Sequence, residues 1–436
     1  MPKARGAALP GEGGAQELWL AHLRGKVTPG LPALSDDEWS WLAEEASRHQ
    51  LRGLTYRLLA DGPFAGQVPV QVRDRLRTAY VDTATRNAWF FRQTSLIVRE
   101  LDRHGIQVML LKGVHLARFV YTEPALRSMA DVDIMVSREQ LPEAERVLLD
   151  LGFGPRPRPD LAERCTWSNH LDKLEKEGAP VVELHWHIER PRSAFSIDLA
   201  GLWQRSQPAT LDGAPVRLLA PEDLVLHLVL HASYHHRFDR SALKAIVDIN
   251  AVILRYGEAF RWPLLVERAI EWKASGFVYT TLRLAADILD SPVPEPVLRT
   301  LPYERADEEM VAVARRFIMM PRAEVPKVFV KLARSQTLVE RFRLIVRGVF
   351  LTRHQMEMSY GLRPGSPRVY WYYLARPATL LLKRSSLLFR ALLQPRALGP
   401  HLDLDEDRLR LQRWAKDPPG RPTDPIASQG STSAGR

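Results

Sequence analysis

Two aspartates one residue apart, Asp131-Val-Asp133, lie in an apolar run whose other members are Val132, Ile134 and Val136. Alternation along an extended strand puts both carboxylates on the face opposite that apolar set, about 6.6–7 Å apart at the backbone. Acids that close repel each other unless a cation lies between them. Mg²⁺ suits such a pair, because it takes hard oxygen ligands and commonly shares them with substrate phosphates. The spacing alone is weak, since Asp403-Leu-Asp405-Glu-Asp407 repeats it and reads as a solvated acidic helix start. The setting is what differs. Ile106 to Leu111 reads as a buried strand that runs into Lys112-Gly113, with a helix directly after it. A glycine there lets backbone approach a phosphate, a helix N-terminus offers unpaired N–H groups, and Lys112 adds a charge. A plain tight turn accounts for the same dipeptide.

A third acid stands on a later strand. In Val181-Val-Glu183-Leu-His185-Trp-His187-Ile188, one face carries Glu183, His185 and His187, and the other carries Val182, Leu184, Trp186 and Ile188. Such a strand meets solvent or lines a site, and Glu183 completes a three-carboxylate centre with Asp131 and Asp133. Histidines recur further on. His227, His231 and His235 are spaced i, i+4, with His236 adjacent and Asp248 on the next helix. Helical zinc ligands share this spacing, so a metal hydrolase is one reading. No His-Glu-x-x-His motif supports it. A substrate cleft lined by His185, His231, His235 and Asp248, or plain packing between domains, explains the same residues.

The elements that must position these groups follow from periodicity. Residues 1–16 and 417–436 read as disordered tails. Residues 17–87 form an N-terminal helical region with a helix start at Ser35-Asp-Asp-Glu38. Residues 88–220 form an α/β core: a helix Leu96 to His104 stopped by Gly105, a strand Ile106 to Leu111, and a helix Val114 to Tyr121. A strand Val132 to Val136 follows, then a helix Glu139 to Leu151 capped by Ser137 and ended by Gly152. Strands near 166–175 and 181–188 pair across Glu177-Gly178. A helical domain, 221–330, and a basic helical region, 331–416, complete the chain, and no internal repeat is visible. The fold class is α+β: a small mixed sheet flanked by N-terminal and C-terminal helical domains.

Composition narrows the function classes. The 436 residues are 45% apolar and 26% charged, values of an ordinary globular chain. The single cysteine, Cys165, excludes an internal disulfide framework and a cysteine-rich zinc site. No secretory signal and no transmembrane segment is visible, so a cytoplasmic protein is the simple expectation. The net charge of +10 concentrates in 331–400, where thirteen Lys and Arg face only Glu340 and Glu357. Such a stretch attracts polyanions, nucleic acid or an anionic membrane face, or is a solvated helical surface. Tyr370-Trp-Tyr-Tyr373 beside these charges reads as core, as a membrane-surface helix or as an RNA-binding surface.

The order glycine turn, helix, Asp-x-Asp strand and later acid resembles the nucleotidyltransferase superfamily, with its DNA polymerase β-like fold. Leu111-Lys-Gly113, Tyr121, Arg127, Asp131-Val-Asp133 and Glu183-Leu-His185-Trp186 look more closely like the uncharacterised nucleotidyltransferases of bacteria. His231-x3-His235-His236 and Val247-Asp248-Ile249 resemble that group's helical half. The resemblance implies transfer of a nucleoside monophosphate from an NTP, ATP being the expected one, to an unknown acceptor. It implies Mg²⁺, as one or two ions, on Asp131, Asp133 and Glu183 as the catalytic set, with Lys112, Gly113 and Arg127 at the nucleotide phosphates. The chain departs from the superfamily at its turn, Lys112-Gly113-Val114 in place of Gly-Gly or Gly-Ser. It also has Glu183 for the commoner Asp and a longer Gly113–Asp131 interval. A non-catalytic binding or scaffold protein on a degenerate fold, and an RNA-modifying or toxin-like transferase, are the alternatives.

Overall fold

A computed structural model describes residues 12–26, 34–62, 64–154, 165–166, 168–191, 193–239, 242–319, 337, 339–340, 343, 346, 351–360, 366–377, 379 and 399–416. The tail expectations for 1–11 and 417–436, and most of the basic 331–400 stretch, lie outside the described residues. Residues 12–16, expected in the first tail, are helical, and Ala15 is buried.

The N-terminal part is four helices: α1 (Glu12–Leu23), α2 (Asp36–Arg48), α3 (Arg52–Ala60) and α4 (Val70–Arg103). Ser35 and Glu38 cap each other's backbone N–H groups at the start of α2, as a Ser-x-x-Glu box should. With 34 residues, α4 is about 51 Å long. It ends where Gly105 takes a left-handed φ of 69° and turns the chain into the sheet.

The sheet has five strands in the order β3-β2-β1-β5-β4. They are β1 (Met109–Leu110), β2 (Val132–Met135), β3 (Val182–His185), β4 (Gln207–Leu211) and β5 (Ala214–Leu218). β1 runs antiparallel to β2 and parallel to β5, β2 runs parallel to β3, and β4 and β5 form a hairpin. The expected strand at 166–175 is reduced to two isolated bridges, His170 with His185 and Leu174 with Val182. The fold is mostly helical α+β, as expected.

One face of the sheet is the core. Val132, Ile134, Val182, Leu184 and Val216 meet Phe90, Phe91, Ile97, Val98 and Leu101 of α4 in a buried cluster. Leu141, Ala144, Val147 and Leu148 of α6 (Leu141–Asp150) join it. Between β1 and β2 come a short helix, α5 (Lys112–His115), a π turn at Leu116–Val120 and a 3₁₀ turn at Pro124–Leu126. After the sheet, α7 (Leu199–Arg205) having preceded the β4–β5 hairpin, the chain forms α8 (Pro221–Leu230). A second π turn at His231–His235 leads to α9 (Ala242–Tyr256), α10 (Trp262–Glu271), α11 (Ser275–Leu289), α12 (Glu295–Thr300) and α13 (Arg305–Met319). No helix among the described residues is long and apolar enough to cross a membrane.

Residues 319–413 cluster as a second compact unit. Within it, α14 (Arg353–Ser359) buries Met356, and Tyr360 stacks on Tyr372 at 4.1 Å between ring centroids. Trp371 and Leu374 are 70% and 76% exposed, so the aromatic run is not simply core. The last helix, α15 (Gly399–Lys416), ends in residues of the first unit, where the Trp414 indole N–H donates to Asp307 at 2.8 Å. Asp403-Leu-Asp405-Glu-Asp407 lies inside α15 rather than at its start.

α3 lies directly on the 3₁₀ turn that leads to Arg127. A Cβ at Gly53 would stand 2.0 Å from the Ala125 carbonyl oxygen. Gly53→Ala must push the turn away and is expected to cost about 1–3 kcal/mol in urea unfolding. Gly66→Ala, where a Cβ meets nothing within 4 Å, is the control and should be near neutral.

Candidate functional site

The site is built on two parallel strands in register. Asp133 pairs with Glu183, flanked by Val132 with Val182 and Ile134 with Leu184. The four apolar neighbours are fully buried, which turns both carboxylates to the opposite face. Asp131 stands one residue ahead of β2, its side chain 32% exposed. The carboxylates meet two lysines and a histidine. Lys112 Nζ donates to Asp133 Oδ1 at 2.8 Å, and His185 Nε2 lies 3.1 Å from the same oxygen and 3.7 Å from Glu183 Oε2. Lys173 Nζ is 3.2 Å from Glu183 and 4.0 Å from Asp131. Lys112 itself has a φ of 34°, a left-handed value that side chains rarely adopt. The Leu111 N–H, which donates to the Asp133 carbonyl at 3.1 Å, anchors the strand just before that turn.

These neighbours split the three carboxyls. Burial opposes ionisation of Asp133, but the Lys112 ammonium and the His185 hydrogen bond outweigh it and hold the group well below the usual range. The His185 hydrogen bond brings Glu183 to about 2 against burial and the Asp133 charge. Asp131 goes the other way, pushed up by burial and then by repulsion from Asp133 and Glu183. Among the described residues, Asp133, Glu183 and His185 form a group of donor atoms all within 4.8 Å of one another that could hold a metal ion. Carboxylate oxygens of this kind fit the divalent ion that the sequence pattern implies.

Beside the group opens a cavity of about 250 Å³. Its wall includes Lys112, Glu183, His185, His227, His231 and His235. Of the three histidines expected in the cleft, His231 and His235 come from the second π turn and His185 from β3. His235 lies 2.9 Å from the buried Glu189 carboxylate, and His236 Nε2 meets His231 Nε2 at 3.2 Å. His187 points elsewhere, its Nδ1 accepting from the Glu189 N–H at 3.0 Å.

Arg127 and Asp248, expected at the phosphates and in the cleft, are paired with each other instead. Arg127 Nη2 lies 3.1 Å from Asp248 Oδ2, the Tyr121 hydroxyl donates to Asp248 Oδ1 at 2.8 Å, Asp248 is buried and the Arg127 side chain is 12% exposed. Gly113 is closely packed: a Cβ there would meet the Arg127 and Met129 side chains at 3.2–3.3 Å, and these would have to give by a few tenths of an ångström. With Asp248 occupied and His235 on Glu189, the zinc set His227, His231, His235 and Asp248 does not assemble. Sequence reasoning missed Lys173, Asn169, His170 and Arg190 at the site, because the segment that carries them has almost no regular structure. It also missed Lys244, which donates to Ser128 O at 2.8 Å and which burial brings down to about 7.

Buried His115 and His227 titrate below the ordinary histidine value, His115 at about 4, because burial disfavours the charged ring. A depressed folded pKa contributes stability that is fully present above the unfolded value near 6.5 and is lost as pH falls toward the folded one. Each ring then costs up to about 1.4 kcal/mol per pH unit below 6.5. Urea unfolding at pH 7.5 and 5.5 should show the loss, and His227→Leu should shrink it by about 1.4 kcal/mol. An unchanged difference in the variant would mean that His227 is charged in the fold.

A search of curated proteins finds no match to the chain. Among solved structures, the crystal structure of an antigenic nucleotidyltransferase-like protein from Paracoccidioides brasiliensis is similar over 51% of this chain and 97% of that one. The identity is 17% and the TM-score 0.30. Residues 35–290 match the sequence profile described as uncharacterised nucleotidyltransferase, a span that takes in the long helix, the whole sheet and the histidine-bearing helix, and the chain belongs to that family.

Proposed function

We propose that the protein transfers a nucleoside monophosphate from an NTP, ATP being the expected donor, to an acceptor oxygen. The observation that carries this is the in-register pair Asp133–Glu183, with Asp131 at its edge, set beside the strand-to-helix turn at Lys112. Asp131, Asp133 and Glu183 would hold Mg²⁺, which when bound neutralises phosphate charge and polarises the phosphorus–oxygen bonds. Lys112, 15% exposed at the cavity wall, would meet the phosphates as a point charge. Glu183, ionised at neutral pH, orients the acceptor hydroxyl by accepting its hydrogen bond. The hydroxyl oxygen forms a bond to the α-phosphorus, the bond from that phosphorus to the bridging oxygen breaks, and pyrophosphate leaves with the electron pair. The hydroxyl proton passes to solvent water as the new bond forms. The basic 331–400 stretch would draw a polyanionic acceptor such as nucleic acid, or an anionic membrane face.

A second reading has one observation in its favour. Lys112 and Lys173 already pair with all three carboxylates, as they would in a non-catalytic binding protein on this fold.

Thermal unfolding with each NTP, with and without Mg²⁺, separates the two. A ligand at a hundred times its Kd adds about 2.7 kcal/mol, a clear rise in midpoint. We expect a Mg²⁺-dependent rise that Asp133→Asn abolishes while circular dichroism stays unchanged. Labelled ATP then tests the reaction: label at the α-phosphate should enter product in a cell extract, and label at the γ-phosphate should not. Absence of a rise with every NTP would sink the transferase reading, and a rise that Asp133→Asn retains would sink the site.

A further inference from the structure

The three donor atoms that converge at the site are not three carboxylate oxygens. They are Asp133 Oδ1, a Glu183 oxygen and the ring nitrogen His185 Nε2. Asp131, the residue that the superfamily pattern pairs with Asp133, falls outside this group. We propose that His185 is a direct nitrogen ligand of the site's metal ion, beside Asp133 and Glu183, so that the site takes a first-row transition-metal ion such as Mn²⁺ in preference to Mg²⁺. The proposal deepens the nucleotidyl-transfer reading by naming the ion, and rests on that reading only for why a cation is needed.

The spacing fits. Ligands at right angles around an ion, each about 2.1 Å from it, lie about 3.0 Å apart. His185 Nε2 is 3.1 Å from Asp133 Oδ1 and 3.7 Å from Glu183 Oε2, so small side-chain rotations seat an ion among them. His185 is also held firmly in place. It ends β3, its side chain is 3% exposed, and its ring packs 5.0 Å from that of His170. Its other nitrogen, Nδ1, is buried without a hydrogen-bond partner. Nε2 facing two carboxylates must carry either a proton or a metal ion.

An independent observation points into the same cavity. His227 on α8 is 4% exposed, and neither of its ring nitrogens has a hydrogen-bond partner. A buried imidazole in that condition is costly unless something in the cavity, such as water on an ion, satisfies it. The chemistry of the donor set then selects the ion. Imidazole binds first-row transition-metal ions, Mn²⁺ the most weakly of them, whereas Mg²⁺ keeps to oxygen ligands and holds several waters. Lys112 shares Asp133 Oδ1 at 2.8 Å, so an entering ion competes with its ammonium for that oxygen.

The test uses the full chain stripped with a chelator. Mn²⁺ is titrated by following the free-ion electron paramagnetic resonance signal, and bound Mn²⁺ is examined by electron spin-echo modulation for directly coordinated ¹⁴N. We expect Mn²⁺ to bind at least tenfold more tightly than Mg²⁺, with ¹⁴N coupling in the unaltered protein. His185→Gln should lose the coupling and at least tenfold in Mn²⁺ affinity, and His227→Gln should keep the coupling. No ¹⁴N coupling in the unaltered protein overturns the proposal whether or not any variant folds, and so does coupling that persists in His185→Gln. Nitrogen-coupled Mn²⁺ in a protein that binds no NTP would keep this inference and remove the transferase reading. NTP binding with Mn²⁺ that shows no nitrogen coupling would do the reverse.

Discussion

Everything at the site depends on placing two carboxylates side by side on a sheet whose back is a dry core. The β2–β3 register makes Asp133 and Glu183 direct neighbours, and the buried Val132, Ile134, Val182 and Leu184 allow no slip, since a shift of one residue would bury both acids. That arrangement is unfavourable by itself, because burial and mutual repulsion both oppose ionisation. It persists because two lysine ammoniums and the His185 ring face it. Lys112 and His185 meet Asp133, and Lys173 meets Glu183. Removing one partner of such a buried cluster strands the others, which is why the lysine accepts a left-handed backbone at the turn.

A second ion pair, Arg127 with Asp248, braces the cavity wall. Arg127 follows the 3₁₀ turn under α3, and Asp248 lies on α9, the helix after the histidine-bearing turn. Tyr121 and Lys244 add hydrogen bonds around the pair. At the far end of the wall, Arg268 meets Asp223 at 3.0 Å and Glu222 at 3.6 Å, which fixes the start of α8 from α10. The cavity therefore lies between two anchored helices and a sheet. Its shape is set by ion pairs that do not face it.

This division explains which features local pattern reveals. The acids, the lysine turn and the histidines were legible because alternation, a glycine stop and helical spacing are local signals. Gly105 and Gly152 do end helices in left-handed conformations. The pairing of Arg127 with Asp248 was not legible, because it spans 121 residues and no local pattern marks it. Glu222 and Asp223 look like a solvated helix start and are buried. The β4–β5 hairpin does carry a local signal. Asp212-Gly213 takes φ of 48° and 78°, the left-handed pair that a tight hairpin demands and Asp-Gly supplies.

The two π turns were invisible for a different reason, and they account for pairings that helical spacing would forbid. In an α-helix, residues i and i+5 point about 140° apart, so His231 and His236 could not touch. The π turn closes instead through the His236 N–H to the His231 carbonyl at 3.1 Å and brings their Nε2 atoms to 3.2 Å. The first π turn does the same service, closing from Tyr121 N–H to Leu116 O and delivering the Tyr121 hydroxyl to Asp248. The first turn carries Tyr121 onto a partner in another element, and the second folds His236 back onto His231 of the same turn. One turn serves the ion pair that anchors the wall, and the other serves the histidines that line it. A one-residue widening of the last turn leaves no mark in hydrophobic periodicity, since the apolar faces on either side stay buried. The device that aims the site is therefore the part of it that pattern reading could not reach.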